Sequence, residues 1–333
     1  MAGIIFSEGS GKNDPIFGKF DAPIRKVIEE QGESFEQKAI MPELFNVYDS
    51  DNYAESIMGM TAMEDFKVTG ENGLYPLTDN GLGLQQTFKH RTFRNSFAIS
   101  KEMIDDAKAI DLRRKPSAFT KAYYRTRERL AASLLGAAIE NKTSASYAED
   151  SFSTLTGDEA VLFGEHKLLN KGTTVHNAFS NAFSDDALGM METAMQNFTD
   201  EDGNVLDVAP DTIIIPNVHA LKKAVFAAIG ADKDPATANN GFNYQFGRWN
   251  VIVWNELNRF ITKGSTPWIL MASEYNKEIG TAYWFDREPL SVRSVIDDKN
   301  DANLWLGRAR FSAGFYDWRG MAVGGVTRGT TLS

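Results

Sequence analysis

The chain carries four histidines, His90, His166, His176 and His219, and no cysteine. Without cysteine there is no thiol nucleophile, no disulfide and no thiolate metal site. No two histidines make an HExxH pair, which would put two imidazoles on one helix face. A metal site would have to be assembled by tertiary folding from distant positions. A serine–histidine–carboxylate triad lacks its strand-to-helix elbow, because no GxSxG is present. Neither a P-loop nor a GxGxxG following a strand offers backbone amides to a phosphate. The cluster Asp200-Glu201-Asp202 has oxygens for calcium, but an EF-hand loop needs glycine at its sixth position and glutamate at its twelfth, and Gly203 comes too early. A hairpin-type turn with Asp202-Gly203 at its centre is the better account. Carboxylates are numerous enough for a two-carboxylate hydrolase, yet nothing in the sequence brings a pair together. Trp249, Trp254, Trp268, Trp284, Trp305 and Trp318 occur at strand spacing, where they build core more readily than a sugar cleft. Asn141-Lys142-Thr143 and Asn197-Phe198-Thr199 fit the glycosylation triplet, with no secretion signal beside them. No catalytic, cofactor-binding or metal-binding residue is expected.

Charge and length narrow the classes further. Forty-five acidic residues outweigh 35 basic ones, a net charge of −10. A dedicated duplex-DNA binder would need a concentrated basic face. The acidic balance favours solubility and makes many copies repel when packed together. The start MAGIIFSEGSGKND lacks the basic residues and apolar run of a signal peptide. The longest mostly apolar stretch, Leu130 to Ile139, is far short of a membrane span. A chain of 333 residues suits two lobes, and the protein is expected to be made in the cytosol and to stay soluble.

The elements that would position any site follow from periodicity. Residues 1–50 are mixed and polar, with scattered apolar anchors and one short helix around IRKVIEEQ, Pro23 lying in its first turn. They read as an extended arm, whose anchors must dock either elsewhere or on their own domain. TAMEDFKVTG and LQQTFKHRTFRNSFAIS alternate apolar and polar residues and flank a loop dense in Gly, Asn and Pro. That pattern is a long two-stranded ribbon, which is marginal in water without a partner surface. The clearest helix spans 116–140, with Pro116 at its first position and Phe119, Tyr123, Thr126, Leu130, Leu134 and Ala137 at three- and four-residue steps. Arg125, Arg127 and Arg129 decorate its flanks. Residues 143–183 read as loop. Ser184 caps a helix SDDALGMMETAMQNF, APDTIIIPN is a short buried strand, and Asn217 caps a helix that closes on Gly230. The exposed loop 231–241 follows. RWNVIVW, PWILMAS, GTAYWFDREP, LSVRSVID, LWLGRARFSAGFYDW and MAVGGVTRGT then read as strands. The fold class is α+β.

The order of these segments is more specific than any of them. MPELFNVYDSD leads into the ribbon, and TFKHRTFRNSFAISKEMIDDA returns from it to the long helix. LFGEHKLLNKGTTVHN has the form LF…H…GT…N. DALGMMETAMQNFTDEDGNVLDVAPDTIIIPNVHALKKAVFAAI and YWFDREPLSVRSVIDDKNDANLWLGRARFSAGFYDWRGMAVGGV follow. In this order, over most of residues 40–326, the chain resembles the HK97-fold major capsid proteins of tailed bacteriophages, nearest the Mu-like group and its relatives.

That resemblance implies an N-terminal arm (1–52) and an extended loop (53–97). It implies a peripheral domain with a long spine helix (98–183 and 282–315), and an axial domain (184–281 and 316–333). It implies hexamers and pentamers tiling an icosahedral shell around double-stranded DNA, held without sequence specificity, together with a portal and scaffold or decoration proteins. The protein would reside in the virion, after assembly in the host cytoplasm, and would be neither an enzyme nor membrane-bound. The candidate assembly residues are Lys67, Phe88, Arg91, Arg125, Arg127, Arg129, Asp232 and Lys233. About 50 residues precede the ribbon, fewer than a long cleaved scaffolding segment needs, so a separate scaffold or none is expected. The founding member crosslinks a ribbon lysine to a neighbour's asparagine; Lys67 and Asn303 are not spaced to repeat this. The alternatives are an encapsulin-type shell and, from another class, the carboxylate-based hydrolase.

Overall fold

The computed structural model describes residues 3–60, 66–71, 73–75, 77, 82–106, 109–230 and 243–332. Its contacts divide the chain into two units. The first comprises 1–55, 88–132 and 283–313, the second 56–87, 133–282 and 314–333. Residues 133–183, grouped with the spine helix in the sequence reading, thus fall in the second unit. The helix continues past residue 132, and its buried end packs there: a Cβ on Gly136 would lie 2.5 Å from that of Phe260.

The first unit is built on the strand Ala282–Asp297, 16 residues long. The sequence reading broke it into two strands at Pro289. The structure runs straight through, because this edge of the strand is paired in two separate pieces. Asn46–Asp49 pairs in parallel with residues 283–286, and Ile5–Phe6 with residues 291–292. Pro289 lies in the interval between them, where its missing N–H breaks no ladder on that edge. On the other side the sheet continues through Ala302–Phe315 to Arg91–Ser100.

The arm does not dock elsewhere. Its helix is Gly18–Glu36, 19 residues, so Pro23 lies in the second turn rather than the first. Ile24 and Ile28 enter one apolar cluster with Ile99, Phe119, Leu290, Val292 and Trp305. Fully burying each aliphatic side chain stabilises by about 1.5–3 kcal/mol, enough to tie the arm to its own unit. The long helix is Ala109–Ile139 and includes Pro116. Pro116 is thus an interior residue and not the expected helix start: a proline removes only one helix bond, and Leu112 before it packs against the same cluster. Gly307 lets this helix approach the sheet, for a Cβ there would come within 2.2 Å of the Phe119 ring.

The second unit is a four-stranded sheet in the order Asn250–Trp254, Thr212–Pro216, Trp268–Met271, Met321–Gly324. The first pair is parallel and the others antiparallel. Every residue of Thr212–Pro216 is buried, as a central strand requires. The helix Asp185–Gln196 begins at Ser184, whose Oγ accepts the Ala187 N–H at 3.1 Å. The helix His219–Ile229 begins instead after Val218, and Asn217 turns away to donate to Asn255. A turn forms here one residue earlier than expected: Gly203 N–H bonds the Asp200 carbonyl, so Glu201-Asp202 rather than Asp202-Gly203 are central, and Gly203 takes the left-handed position after them (φ 87°). Residues 143–183, read as loop, contain two small hairpins, Ser144–Tyr147 with Asp150–Ser153 and Glu165–Lys167 with Thr174–His176.

The LF…H…GT…N segment braces this unit. Leu162 and Phe163 are fully buried. His166 stacks on Trp318 with ring centroids 4.5 Å apart and bonds Asp158 at 2.7 Å. Asn177 donates to the carbonyls of Leu162, Trp318 and Met321 and accepts from the Gly164 N–H. Five of the six tryptophans are fully buried, so they are core.

Candidate assembly surfaces

No chemistry gathers at one point. Among the described residues no group of three histidines, aspartates or glutamates could hold a metal, and no helix is long and apolar enough to cross a membrane. What the chain offers is surface.

The ribbon pairs Ala54–Met60 with Leu82–Lys89. Beyond its strands Phe66, Val68, Leu74, Tyr75 and Leu77 are 91–106% exposed. A run of large apolar side chains this bare marks an interaction site rather than ordinary surface. Lys67 lies among them, also exposed. The other end of the ribbon is anchored. Phe88 is buried against Phe285 and Tyr283, with centroids 5.5 and 6.1 Å away. The structure therefore makes Phe88 a packing residue of its own chain and not a contact for another. His90 follows, buried, its ring nitrogens each 3.0 Å from the hydroxyls of Ser50 and Ser312. Burial lowers its pKa, and Arg310 and Arg287 push the same way against Glu55 and Asp286. Arg91 is a half-buried strand residue opposite Phe311.

The three arginines of the long helix do not act together. Arg125 is exposed, Arg129 half-buried and Arg127 buried. Residues two apart point to opposite sides of a helix, whereas residues four apart share a side. Arg127 lies four after Tyr123, on the apolar stripe, and spacing alone could have revealed this. Its guanidinium donates to both oxygens of Asp286 at 2.8 and 2.9 Å and to the Tyr123 hydroxyl at 2.9 Å. It lies 4.9 Å from the Trp284 ring, whose N–H also donates to Asp286 at 2.9 Å. Burial alone would lower the Arg127 pKa; Tyr123 and Asp286 outweigh it and raise it. Arg127 is thus held within its own subunit and removed from the intersubunit candidates. Asp232 and Lys233 lie outside the described residues. Asn303 is buried, so an incoming lysine would have to open the strand to reach it.

The sequence reading missed a second group of arginines. Arg94 and Arg308 are direct partners across the antiparallel strands Arg91–Ser100 and Ala302–Phe315. With Arg293 they line an open basin of about 760 Å³ on the first unit, which Leu306 and Glu288 also border. The alternation in LWLGRARF shows that Leu306 and Arg308 share a face. Only the strand register shows that Arg94 meets them.

Residues 84–324 match the family model for phage capsid protein. The chain belongs to the phage capsid protein family. It is therefore a shell subunit of a phage particle, a structural protein and not an enzyme. The solved structure of Mycobacterium phage Patience resembles this capsid protein over 100% of its chain and 95% of the other's, with a TM-score of 0.51 at 12% identity. The capsid of the empty GTA particle resembles it over 86% and 89%, with a TM-score of 0.50 at 11% identity. At such identities the likeness is one of fold, and the fold is the HK97-like one. No curated protein matches the chain.

Proposed function

We propose that this capsid protein is the repeating subunit of an icosahedral shell of hexamers and pentamers enclosing double-stranded DNA, and that its ribbon is laid across a neighbouring copy. The observation that carries the reading is the bare apolar tip. Burying Phe66, Val68, Leu74 and Leu77 gains about 1.5–3 kcal/mol each, a gross 6–12 kcal/mol per subunit. Head-to-tail use of one such contact closes into rings when the rotation allows. In this reading the first unit is the peripheral domain and the second the axial domain, with the loop 231–241 at the axial tip. Arg125 and Arg129 remain as candidate intersubunit pairs on the outward side of the spine helix. The net charge of −10 suits a wall that confines DNA without gripping it. A portal, and a scaffold or decoration protein, are the further partners of such a shell.

Deleting residues 68–84 tests the reading by electron microscopy of the purified protein. The expected product is a soluble, folded subunit without stable shells. Normal shells from the deletion would overturn the role given to the ribbon.

A further inference from the structure

The ribbon leaves the first unit after Glu55, and the chain returns to it at Phe88. One buried histidine stands beside both points. His90 lies one step beyond the last ladder pair, Arg91 with Phe311, so Ser312 is its neighbour across the strands. The Ser312 Oγ is 3.0 Å from Nδ1, and the Ser50 Oγ is 3.0 Å from Nε2. Ser50, His90 and Ser312 are all buried. Ser50 donates its one hydroxyl hydrogen to Glu55 at 2.5 Å, and Glu55 also accepts from the Asn52 side chain at 3.0 Å. Towards His90, then, Ser50 is an acceptor. This puts the ring hydrogen on Nε2 and leaves Nδ1 to accept from Ser312. With a neutral ring the relay Ser312, His90, Ser50, Glu55 is complete, every donor having its acceptor.

A second ring proton breaks this relay. Both nitrogens of an imidazolium donate, so Ser312 must turn its own hydrogen away within a buried strand pair. The charges around the ring are Glu55 from the first ribbon strand, Asp286 and Arg287 from Ala282–Asp297, and Arg310 from Ala302–Phe315. Asp286 is already held through both oxygens by Arg127, and Arg287 lies 3.3 Å from Asp51. Arg310 is two residues before Ser312, on the same face of its strand, and its buried Nε has no hydrogen-bond partner among the described residues. Glu55 is thus the carboxylate left to balance an imidazolium, and Arg310 opposes one. We propose that His90 is a proton-operated latch on the feet of the ribbon: the neutral ring holds residues 50–55 and 88–91 together, and the protonated ring lets both feet open while the rest of the first unit stays folded. An opened ring takes its proton near the ordinary value of about 6.5 and the closed ring only below it, so the latch is shut at neutral pH and loosens as pH falls. The latch works wherever the ribbon tip lands, so it stands apart from the reading that the ribbon crosses to a neighbour.

Amide hydrogen exchange of the unassembled subunit, read by mass spectrometry and corrected for the intrinsic effect of pH on exchange, tests the latch. Between about pH 7.5 and pH 5 the opened ring gains a factor of about 30 in proton binding, and the closed ring gains less. Protection of residues 53–57 and 86–91 should therefore fall by about three- to thirtyfold over that range. His90→Gln keeps one donor and one acceptor and cannot take the proton, so its protection should change less than about twofold. Glu55→Gln still accepts from Ser50 but no longer balances the imidazolium, so its fall should be deeper than that of the native chain. A merely structural Glu55 would lower protection equally at both pH values. At either pH the feet should be at least about tenfold less protected than the amides of Ala302–Phe315, since a local opening needs less free energy than unfolding the unit. Equal protection of feet and strand overturns the proposal, because the feet then open only when the whole unit unfolds. A native fall below about threefold overturns it too, as does an undiminished fall in His90→Gln. Should His90→Gln fail to fold, Glu55→Gln decides alone, and a fall no deeper than the native one refutes the latch.

Discussion

Replacing Arg127 by methionine should destabilise the folded subunit itself, not merely spoil its assembly. The substitution keeps the length of the side chain and removes the charge. Asp286 then keeps the Trp284 N–H at 2.9 Å but loses both guanidinium bonds, and it is only 4% exposed. Removing one member of a buried pair costs about 3–5 kcal/mol, since the other charge is left in a poor solvent. That is a large share of the roughly 5–15 kcal/mol that holds a domain folded. The double substitution Arg127→Met with Asp286→Asn removes both charges and keeps an acceptor for Trp284. It should recover at least about 2 kcal/mol of the single loss, because a buried pair contributes little beyond its own desolvation. Arg125→Glu, on the exposed side of the same helix, should change subunit stability by less than about 0.5 kcal/mol. Urea unfolding of the unassembled subunit, followed by tryptophan fluorescence, measures all three. A single-variant loss below about 1 kcal/mol, or a double variant worse than the single, would refute the argument.

The subunit should also lose stability on mild acidification through His90. Its folded pKa is depressed, so protonation favours the unfolded chain. The stabilisation is full above the ordinary histidine value of about 6.5 and fades as pH falls through the lower folded value. His90→Gln should flatten this dependence in urea midpoints taken from about pH 7.5 to pH 5. Gly307→Ala would drive a methyl into the Phe119 ring and should cost about 1–3 kcal/mol by overpacking, seen as a lower melting temperature. Asn177→Leu would strand the Met321 carbonyl and the Gly164 N–H, while the Leu162 carbonyl keeps the His166 ring nitrogen and the Trp318 carbonyl keeps the Met321 N–H. It should cost at least about 2 kcal/mol in the same thermal assay.

Much of this fold was legible because its signals are local. Ser184 before two aspartates marks a helix start wherever it occurs, and the alternation of LWLGRARFSAGF gives a strand without knowledge of its neighbours. The misreadings share one cause: a local rule was overridden by packing that the sequence does not display. Pro289 looks like a strand end until the two-piece pairing of that edge is known. Pro116 looks like a helix start until Leu112 is seen to pack. The hairpin at 144–153 was hidden because Ala148 and Glu149 hold positive φ (51° and 64°), where Asn-Gly would have announced the turn. The arm's anchors were visible, but nothing in residues 1–50 says that Ile24 and Ile28 meet Trp305. For the assembly surfaces, the exposed tip followed from composition. The arginine basin did not, since it exists only once residue 94 is set opposite residue 308.

The parallel pairing of Ile5–Phe6 with residues 291–292 joins an earlier segment of the chain to one made much later. At a synthesis rate of about 5–20 residues per second, the early strand waits roughly 15–60 s for its partner. During that interval the sheet of the first unit has no central strand, so the surface around Arg293 and Arg308 does not yet exist. A nascent chain therefore lacks that surface until residue 291 has been made. The pairing of an early strand with a late one thus delays closure of this sheet until most of the sheet's own residues have been synthesised.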